Sequence, residues 1–399
     1  MTVLNIFFLI VFNCCINDVP DKKSMKDIVT KALDFSLQQS INMAESLSDQ
    51  QNRLPKTSDR FGNLESCGPE WWVSGFFPGQ LWYMYEYSSD EKLKQWAINY
   101  TKRVESQQFN TGTHDTGFMI FCSFGNGYRL THDEEYKKVI YNASKSLSSR
   151  YNEITGTIRS WDYASWNKQW QYPVIIDNMM NLEMLLWSAE TFDEQSFKNI
   201  SLQHANSTMK NHYRDDFSCY HVVSYDTLTG MARKKNTSQG FSDESTWARG
   251  QAWGLYGFIV MYRFTRDKRY LDQAVNIASF LLNHPNLAED KIPYWDFDAP
   301  NIPDCLRDAS AASIMCSALL ELSTYVDKRK SEQYLDVAET QISMLSSSCY
   351  RNAAGNNGNF ILKHSVGHMP NYTEVDAPLS YADYYFVEAL MRYKKLNGF

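Results

Sequence analysis

Two aspartates stand beside long apolar runs, where a carboxyl group has little water around it. Asp115 follows His114 in the stretch GTHDTGFMIF, and Asp177 lies in VIIDNMMNLEML. Helix capping explains one such Asp, because free backbone N–H groups and the helix dipole favour a negative charge. Two carboxyl groups in settings of different polarity can instead divide acid/base chemistry between a proton donor and an ionised partner.

The two settings predict different roles for these carboxyl groups. Asp177 is flanked by Val174, Ile175 and Ile176 on one side and by two methionines on the other. Burial among apolar groups raises the pKa of a carboxyl, so we expect Asp177 to be the proton donor. Asp115 stands beside the polar His114, and we expect it to stay ionised.

Other polar residues mark the starts of further predicted helices. Arg249 occurs in STWARGQAW, Asp308 in LRDASAAS and Asp383 in YADYYF. Capping explains each Asp singly, but not why His114, Arg249, Trp253 and several aromatic insertions gather at the same ends. If these helices stand side by side, their polar ends meet at one cavity, which we call the mouth. Paired carboxylates in a Trp-rich cleft predict acid/base chemistry on a carbohydrate.

The stretch GMARKKNTSQGFSDESTWARGQAWGLYG, residues 230–257, contains a basic cluster in an acidic protein. Arg233, Lys234 and Lys235 stand in a chain of net charge −7, and Gln239 follows. The simplest interpretation is that this basic cluster lies on a solvated loop. A loop that leads to the mouth would instead help to bind a carboxylate or sulfate, which the overall charge repels.

Repeated helical pairs must position these residues. The pattern [ST]-x-D followed by an amphipathic stretch occurs at 88–104, 131–147, 191–205 and 265–282, with a looser copy at 325–345. Each pattern is an N-cap signature. A more apolar helix precedes each one, another ends the chain, and a helix at 25–46 supplies the sixth amphipathic member. The spacing predicts an all-α (α/α)6 barrel of twelve helices that alternate between outer and inner positions.

Composition excludes several classes of function. Of the 399 residues, 43% are hydrophobic and 15% are aromatic, which suits a large folded core with rings available to sugars. The negative net charge argues against a nucleic-acid partner. The eight cysteines show no Cys/His ligand spacing, so we expect free thiols and no metal site. No segment predicts a membrane span.

The N-terminus predicts export. An apolar run at residues 3–12 is too short to span a bilayer and is typical of a signal sequence. We expect residues 1–20 to form a leader, with a single catalytic domain over 23–399. Either the leader is cleaved or Cys14 or Cys15 carries a lipid anchor. The protein would then be exported, either periplasmic or lipid-anchored.

Several longer motifs resemble one known family. They are WWVSGFFPGQLWYMYE, THDTGFM, IIDNMMNLEMLLW, SQGFSDESTWARGQAWGLYG, YWDFDAP and SYADYYFVEALMRY, in family order over about residues 70–395. The chain resembles the unsaturated glucuronyl hydrolases of glycoside hydrolase family 88. The resemblance implies an (α/α)6 barrel and no metal or organic cofactor. It also implies an oligosaccharide substrate with a Δ4,5-unsaturated uronic acid at its non-reducing end, as polysaccharide lyases leave behind.

In such enzymes the vinyl ether is hydrated before the sugar bond breaks. The resemblance assigns Asp177 as general acid/base and Asp115 as the second essential carboxylate, either a nucleophile or a stabiliser of the charged transition state. Trp166 and Trp170 are alternatives to Trp161 in the uronate subsite. We add His114 to the positions that match this subsite, because it stands beside Asp115. The full set is Trp72, His114, Trp161, His221, Thr237, Gln239, Arg249 and Trp253.

Two rival functions remain open at this point. An unsaturated rhamnogalacturonyl hydrolase shares the fold and the hydration chemistry, but an Asp like Asp115 is not expected in that family. A non-catalytic helical glycan-binding lipoprotein would require Asp115 and Asp177 to be helix caps only. Residues 362–376 are expected to border the leaving-sugar subsite. Chondroitin, hyaluronan and heparin fragments all stay open as the natural substrate.

Overall fold

The computed structural model describes residues 22–162 and 170–399, and twelve α-helices lie within these ranges. The predicted leader and Cys14 and Cys15 lie outside the described residues. Two inner helices begin with a different winding: α4 is π-helical at first and α6 begins as a 3-10 turn. The helices are α1 Lys22–Ser46, α2 Phe76–Ser88, α3 Glu91–Arg103, α4 Gly117–Gly125 continued by Asn126–Thr131, α5 Glu134–Ser148, α6 Ile176–Asn181 continued by Leu182–Phe192, α7 Gln195–Asn211, α8 Ala248–Thr265, α9 Lys268–Asn283, α10 Ala309–Leu322, α11 Lys328–Ser346 and α12 Ser380–Asn397.

The even-numbered helices form a closed inner ring. Along the ring, α2 packs on α4, α4 on α6, α6 on α8, α8 on α10 and α10 on α12, and α12 returns to α2. Helix α8 is buried on every side over residues 248–261 because it is apolar all round. The odd-numbered helices cover this ring with one apolar face each. The predicted all-α barrel of alternating inner and outer helices is confirmed.

The turns that join inner to outer helices follow one design with one exception. Asp90, Asp133 and Asp267 each accept backbone N–H groups of the following helix, as predicted. At 191–193 the predicted cap is wrong, because α6 ends one residue later and Asp193 itself takes the left-handed conformation. Helix α7 therefore begins after Glu194, which makes no side-chain cap.

Short antiparallel strands fill the long connections into the inner helices. The strands are β1 Leu54–Ser58, β2 Leu64–Cys67, β3 Tyr151–Asn152, β4 Thr157–Ile158, β5 Pro173–Ile175, β6 Val222–Tyr225, β7 Ala232–Asn236, β8 Ser365–His368 and β9 Thr373–Ala377. They pair as β1–β2, β3–β4, β5–β6–β7 and β8–β9. The basic residues 233–235 lie on β7, so the prediction of a loop there is wrong.

The end of the barrel opposite the mouth holds a cavity of about 1190 Å³. Its lining includes an ion-pair network from α6, α8, α10 and α12. Arg263 bridges Glu183 and Glu321, and Arg392 bridges Glu321 and Glu388. This network ties together four inner helices.

The described part of the chain contains six of the eight cysteines. All six cysteines there are free thiols: Cys67, Cys122, Cys219, Cys305, Cys316 and Cys349. None of its helices combines the length and the apolar character needed to cross a bilayer. Nor do three or more His, Cys, Asp or Glu side chains cluster there in a way that would hold a metal ion.

Candidate active site

The sheet β5–β6–β7 brings three predicted site residues to one edge. Ile175 pairs with Val222, and Val222 pairs with Asn236. Asp177 follows the first strand, His221 precedes the second and Thr237 follows the third, so all three leave the sheet on the same side. The backbone N–H of Ile176 donates to the carbonyl of His221 at 3.0 Å, which continues the pairing up to the site.

A buried hydrogen bond joins the two segments that carry the carboxylates. The backbone N–H of Phe118, three residues after Asp115, donates to Oδ1 of Asn181 at 3.0 Å. Asn181 ends the 3-10 turn that contains Asp177. The negative charge of Asp115 is close enough to raise the pKa of Asp177. The two aspartates, sixty-two positions apart, therefore belong to one site.

Asp177 has the environment of a proton donor. Only 7% of its surface is exposed. Burial raises its pKa from 3.8 to about 7, and the charge of Asp115 acts in the same direction. Arg249 and the indole N–H of Trp253 act in the opposite direction and keep the ionised form accessible. Asp177 can therefore both give and take a proton near neutral pH.

His221 is a neutral hydrogen-bond donor directed at Asp177. Its Nδ1 accepts the backbone N–H groups of Ser238 and Gln239 at 3.1 and 3.2 Å, which assigns the ring proton to Nε2. Burial lowers the pKa of His221 well below 6.5, and the charge of Arg249 adds to this effect. The ring lies against Trp247, with centroids 4.4 Å apart. Nε2 lies 3.8 Å from Oδ2 of Asp177.

Asp115 is half-buried and is held by two neighbours. The hydroxyl of Thr113 donates to Oδ2 at 2.6 Å, and Nε2 of His114 lies 3.2 Å from Oδ1. His114 is completely buried, and burial lowers its pKa, although the charge of Asp115 opposes this. The assignment of His114 to the substrate-binding residues stays a prediction.

Aromatic side chains line two sides of the mouth. Trp72 packs against Phe118 and Tyr381, and Phe118 in turn packs against the buried Trp253. Of the alternative tryptophans, Trp161 lies edge-on to His221, with centroids 6.5 Å apart. Trp170 packs against Trp161, with ring centroids 5.6 Å apart. Trp166 lies outside the described residues.

Arg249 is anchored by the protein itself. Its guanidinium donates to Gly367 O at 2.7 Å, to Val366 O at 2.5 Å and to Asp308 at 3.2 Å. Gln239 donates to the same Gly367 carbonyl at 2.9 Å. The fork of Arg249 is thus occupied, and the residue provides positive potential to the site and holds β8 in place.

Two of the predicted mouth carboxylates serve the framework. Asp308 caps α10 by accepting two backbone N–H groups, and it pairs with Arg249. Asp383 accepts the backbone N–H groups of Ile361 and Leu362, and burial raises its pKa to about 8. Capping and loop support explain both side chains.

The mouth also contains two residues that the sequence did not single out. Trp247 stacks on His221 and lies 4.5 Å from the guanidinium of Arg249. Tyr381 lies between Trp72 and Arg249. Both residues occur inside the long motifs quoted above. Trp247 lies two residues before Arg249 and Tyr381 two residues before Asp383, and this nearness in sequence could have identified them. Thr237 was predicted, and its Oγ1 accepts the N–H of Gly240 at 2.8 Å.

A helical barrel whose mouth combines two carboxyl groups of different burial with tryptophans and an arginine defines a glycosidase of the α/α toroid class. The chain belongs to Glycosyl Hydrolase Family 88, whose model matches residues 41–393. The predicted family and enzyme class are confirmed.

Relatives and solved structures agree over nearly the whole chain. An unsaturated glucuronyl hydrolase of Formosa agariphila is 44% identical, over 89% of this chain and 91% of its own. An unsaturated chondroitin disaccharide hydrolase of Streptococcus agalactiae is 32% identical, over 81% of each chain. The crystal structure of an unsaturated glucuronyl hydrolase specific for heparin is 44% identical, with a TM-score of 0.90 over 94% of this chain and 99% of that one.

Proposed function

We propose that the enzyme releases Δ4,5-unsaturated glucuronic acid from the non-reducing end of lyase-generated glycosaminoglycan oligosaccharides. This proposal rests on the environment of Asp177. Its carboxyl is nearly buried, its pKa is raised to about 7, and Asp115 belongs to the same site. Protonation of an enol ether carbon needs such an acid, since an exposed carboxyl would be ionised at neutral pH.

The reaction is a hydration followed by a rearrangement. Asp177 gives its proton to C4, and positive charge develops at C5 and the ring oxygen. The carboxylate of Asp115 stabilises that charge. Water then adds at C5 and loses a proton to the ionised Asp177, which restores the acid. The resulting hemiketal opens, and the neighbouring sugar leaves with an open-chain keto-uronate as the second product. One water is consumed in each turnover.

His221 and Arg249 support this cycle electrostatically. Nε2 of His221 lies 3.8 Å from Oδ2 of Asp177, so its N–H can stabilise the ionised carboxylate through a bridging water molecule or substrate atom. Arg249 supplies positive potential for the uronate carboxylate, although its fork is held by Gly367 and neighbouring groups. Thr237 and Gln239 lie at the same sheet edge and are the remaining polar contacts that we assign to the uronate.

Glycosaminoglycan fragments are the substrates to test first. The relative of known structure that is 44% identical is described as specific for heparin, whereas the chondroitin disaccharide hydrolases are about 30% identical. We therefore expect the unsaturated heparin disaccharide to be the best substrate. The assay follows the loss of ultraviolet absorbance of the C=C bond over a panel of sulfated and unsulfated unsaturated disaccharides.

The same panel separates the rival functions. Unsaturated rhamnogalacturonan fragments belong in it, and faster turnover of these fragments would replace the glucuronyl assignment. A non-catalytic glycan-binding protein would bleach none of the substrates. An Asp177→Asn variant is the matched control, because it keeps the size and shape of the side chain and removes its transferable proton.

Export remains part of the proposal. The apolar run at residues 3–12 supports a leader that is either removed or lipid-modified at Cys14 or Cys15. Mass spectrometry of the mature protein from its native host distinguishes the three forms: unprocessed, cleaved and acylated.

A further inference from the structure

An exposed tryptophan stands beside the uronate subsite and has no role in the reaction above. Trp71 keeps 45% of its surface exposed, whereas its neighbour Trp72 packs against Phe76, Phe118 and Tyr381. Consecutive residues thus face different surroundings: one ring lines the site and the other faces solvent at its rim.

A chain of contacts connects Trp71 to the anion-binding side of the site. The carbonyl of Gly367 accepts from both Arg249 and Gln239. The Cα of Gly367 is so close to Glu374 that a Cβ there would lie 2.4 Å from its carboxylate. The Glu374 carboxylate then pairs with Nζ of Lys56 at 2.8 Å.

Lys56 completes the connection and holds the indole. Its Nζ lies 5.3 Å from the centroid of the Trp71 ring, in the geometry of a cation–π contact. Only 26% of the Lys56 side chain is exposed, so the ammonium is fixed between Glu374 and the ring. An exposed aromatic ring that is held in one orientation costs little further entropy when a ligand stacks on it.

A second exposed ring lies on the same hairpin. Tyr372 lies between β8 and β9, two residues before Glu374, and keeps 85% of its surface exposed. Trp71 and Tyr372 therefore both lie at the β8–β9 hairpin. Strand β8 of this hairpin accepts the hydrogen bonds of Arg249. A sugar chain that leaves the uronate subsite over this hairpin meets aromatic faces, on which the C–H faces of pyranose rings stack.

We propose that Trp71, supported by Lys56 and Glu374, is a stacking platform for a sugar ring beyond the bond that is broken. The inference rests on the proposed function and deepens it, because it predicts a substrate class: unsaturated tetrasaccharides or longer chains, whose additional rings reach Trp71. The uronate of a disaccharide occupies the inner subsite without needing this surface.

The test compares substrate lengths within one enzyme. kcat/KM is measured for an unsaturated disaccharide and the matching unsaturated tetrasaccharide, with wild type and with Trp71→Ala. We expect the tetrasaccharide-to-disaccharide ratio of kcat/KM to fall about 3- to 10-fold in the variant, as loss of one aromatic stacking contact predicts. The fall should appear mainly in KM, because Trp71 does not touch the reacting atoms.

Two further variants make the result specific. Trp71→Phe keeps a stacking face and is expected to recover most of the ratio. Leu228→Ala removes a more exposed apolar side chain (84% exposed, against 45% for Trp71) at the far end of the β6–β7 hairpin and is expected to leave the ratio unchanged. An unchanged ratio in Trp71→Ala, or an equal loss on both substrates, overturns the platform. Wild-type enzyme that turns over neither substrate would instead refute the proposed function.

Discussion

The Nε2 atom of His221 lies 3.8 Å from Oδ2 of Asp177, and the described residues provide no hydrogen-bond partner for either atom. Both side chains are buried, and an unpaired buried donor facing an unpaired buried acceptor is costly. The separation is too long for a direct hydrogen bond and suits a water molecule or substrate atom that contacts both groups. The site is thus preorganised for a ligand between them.

The protonation of Asp177 sets the pH dependence of the reaction. Asp177 acts as an acid only while protonated, and its pKa is about 7. We therefore expect kcat/KM to decrease as pH rises through about 7, with the titration reporting the free enzyme. A pH–rate profile on the unsaturated disaccharide measures this. A rate that keeps rising above the pKa of Asp177 would exclude it as the proton donor.

Asp177→Asn should separate activity from stability. Without a transferable proton, activity is expected to fall by about 10²- to 10⁴-fold. The folded protein should become more stable at alkaline pH, because the wild-type chain must ionise a buried carboxyl there. That cost is absent below the unfolded pKa of 3.8 and complete above the folded pKa of about 7, where it reaches as much as about 4 kcal/mol.

Denaturant unfolding of both proteins at acidic and alkaline pH tests this sign. The stability difference between Asp177→Asn and wild type is expected to grow from near zero to its maximum as pH rises. Asp115→Asn is the matched comparison, since Asp115 is half-buried and already accepts a hydrogen bond from the Thr113 hydroxyl. Equal stability of Asp177→Asn and wild type at every pH would contradict the desolvation of Asp177.

His221→Ala should lower both activity and stability. The variant leaves the N–H groups of Ser238 and Gln239 without the acceptor they share in His221. Each partly buried donor left unpaired costs about 1–3 kcal/mol, so we expect a loss of about 2 kcal/mol or more. kcat/KM and the urea midpoint are measured together. Reduced activity with unchanged stability would mean that the imidazole does not hold the 237–240 loop.

The barrel and the pair of aspartates could be predicted from sequence because both depend on local patterns. Periodicity marks inner and outer helices, and flanking apolar residues mark Asp177 as buried. The partners of Arg249 could not be predicted, because Gly367 and Asp308 reach it from distant segments. The left-handed turn at Asp193 was missed for a related reason: a shift of one residue at the end of α6 leaves the local motif unchanged.

The ion-pair network at the far end of the barrel predicts a stability effect without a catalytic one. Arg392→Ala removes a cation that serves both Glu321 and Glu388. Glu321 keeps its pair with Arg263, but the buried Glu388 loses its paired cation, which costs about 3–5 kcal/mol. Lys268→Ala breaks an exposed pair with Asp272 and is expected to cost about 0.5 kcal/mol or less. Thermal unfolding and KM are compared, and an altered KM in Arg392→Ala would link this end to the mouth.

Gly117→Ala tests the contact that joins the two catalytic segments. A Cβ at Gly117 would lie 2.5 Å from Oδ1 and 2.8 Å from Cα of Asn181, and the backbone atom cannot swing away. The added methyl group must push the start of α4 from the turn that carries Asp177, and displacements of this size typically reduce catalysis about 10²-fold.

The control for this variant lies five residues earlier in the same stretch. A Cβ at Gly112 meets nothing closer than Oδ1 of Asn110 at 3.4 Å, so Gly112→Ala is expected to keep its activity. kcat/KM is measured for both variants, with circular dichroism to establish that each remains folded. The separation of Asp115 from Asp177 is what the Gly117 methyl group changes. Full activity in folded Gly117→Ala would therefore mean that the chemistry does not depend on how these two carboxyl groups are spaced.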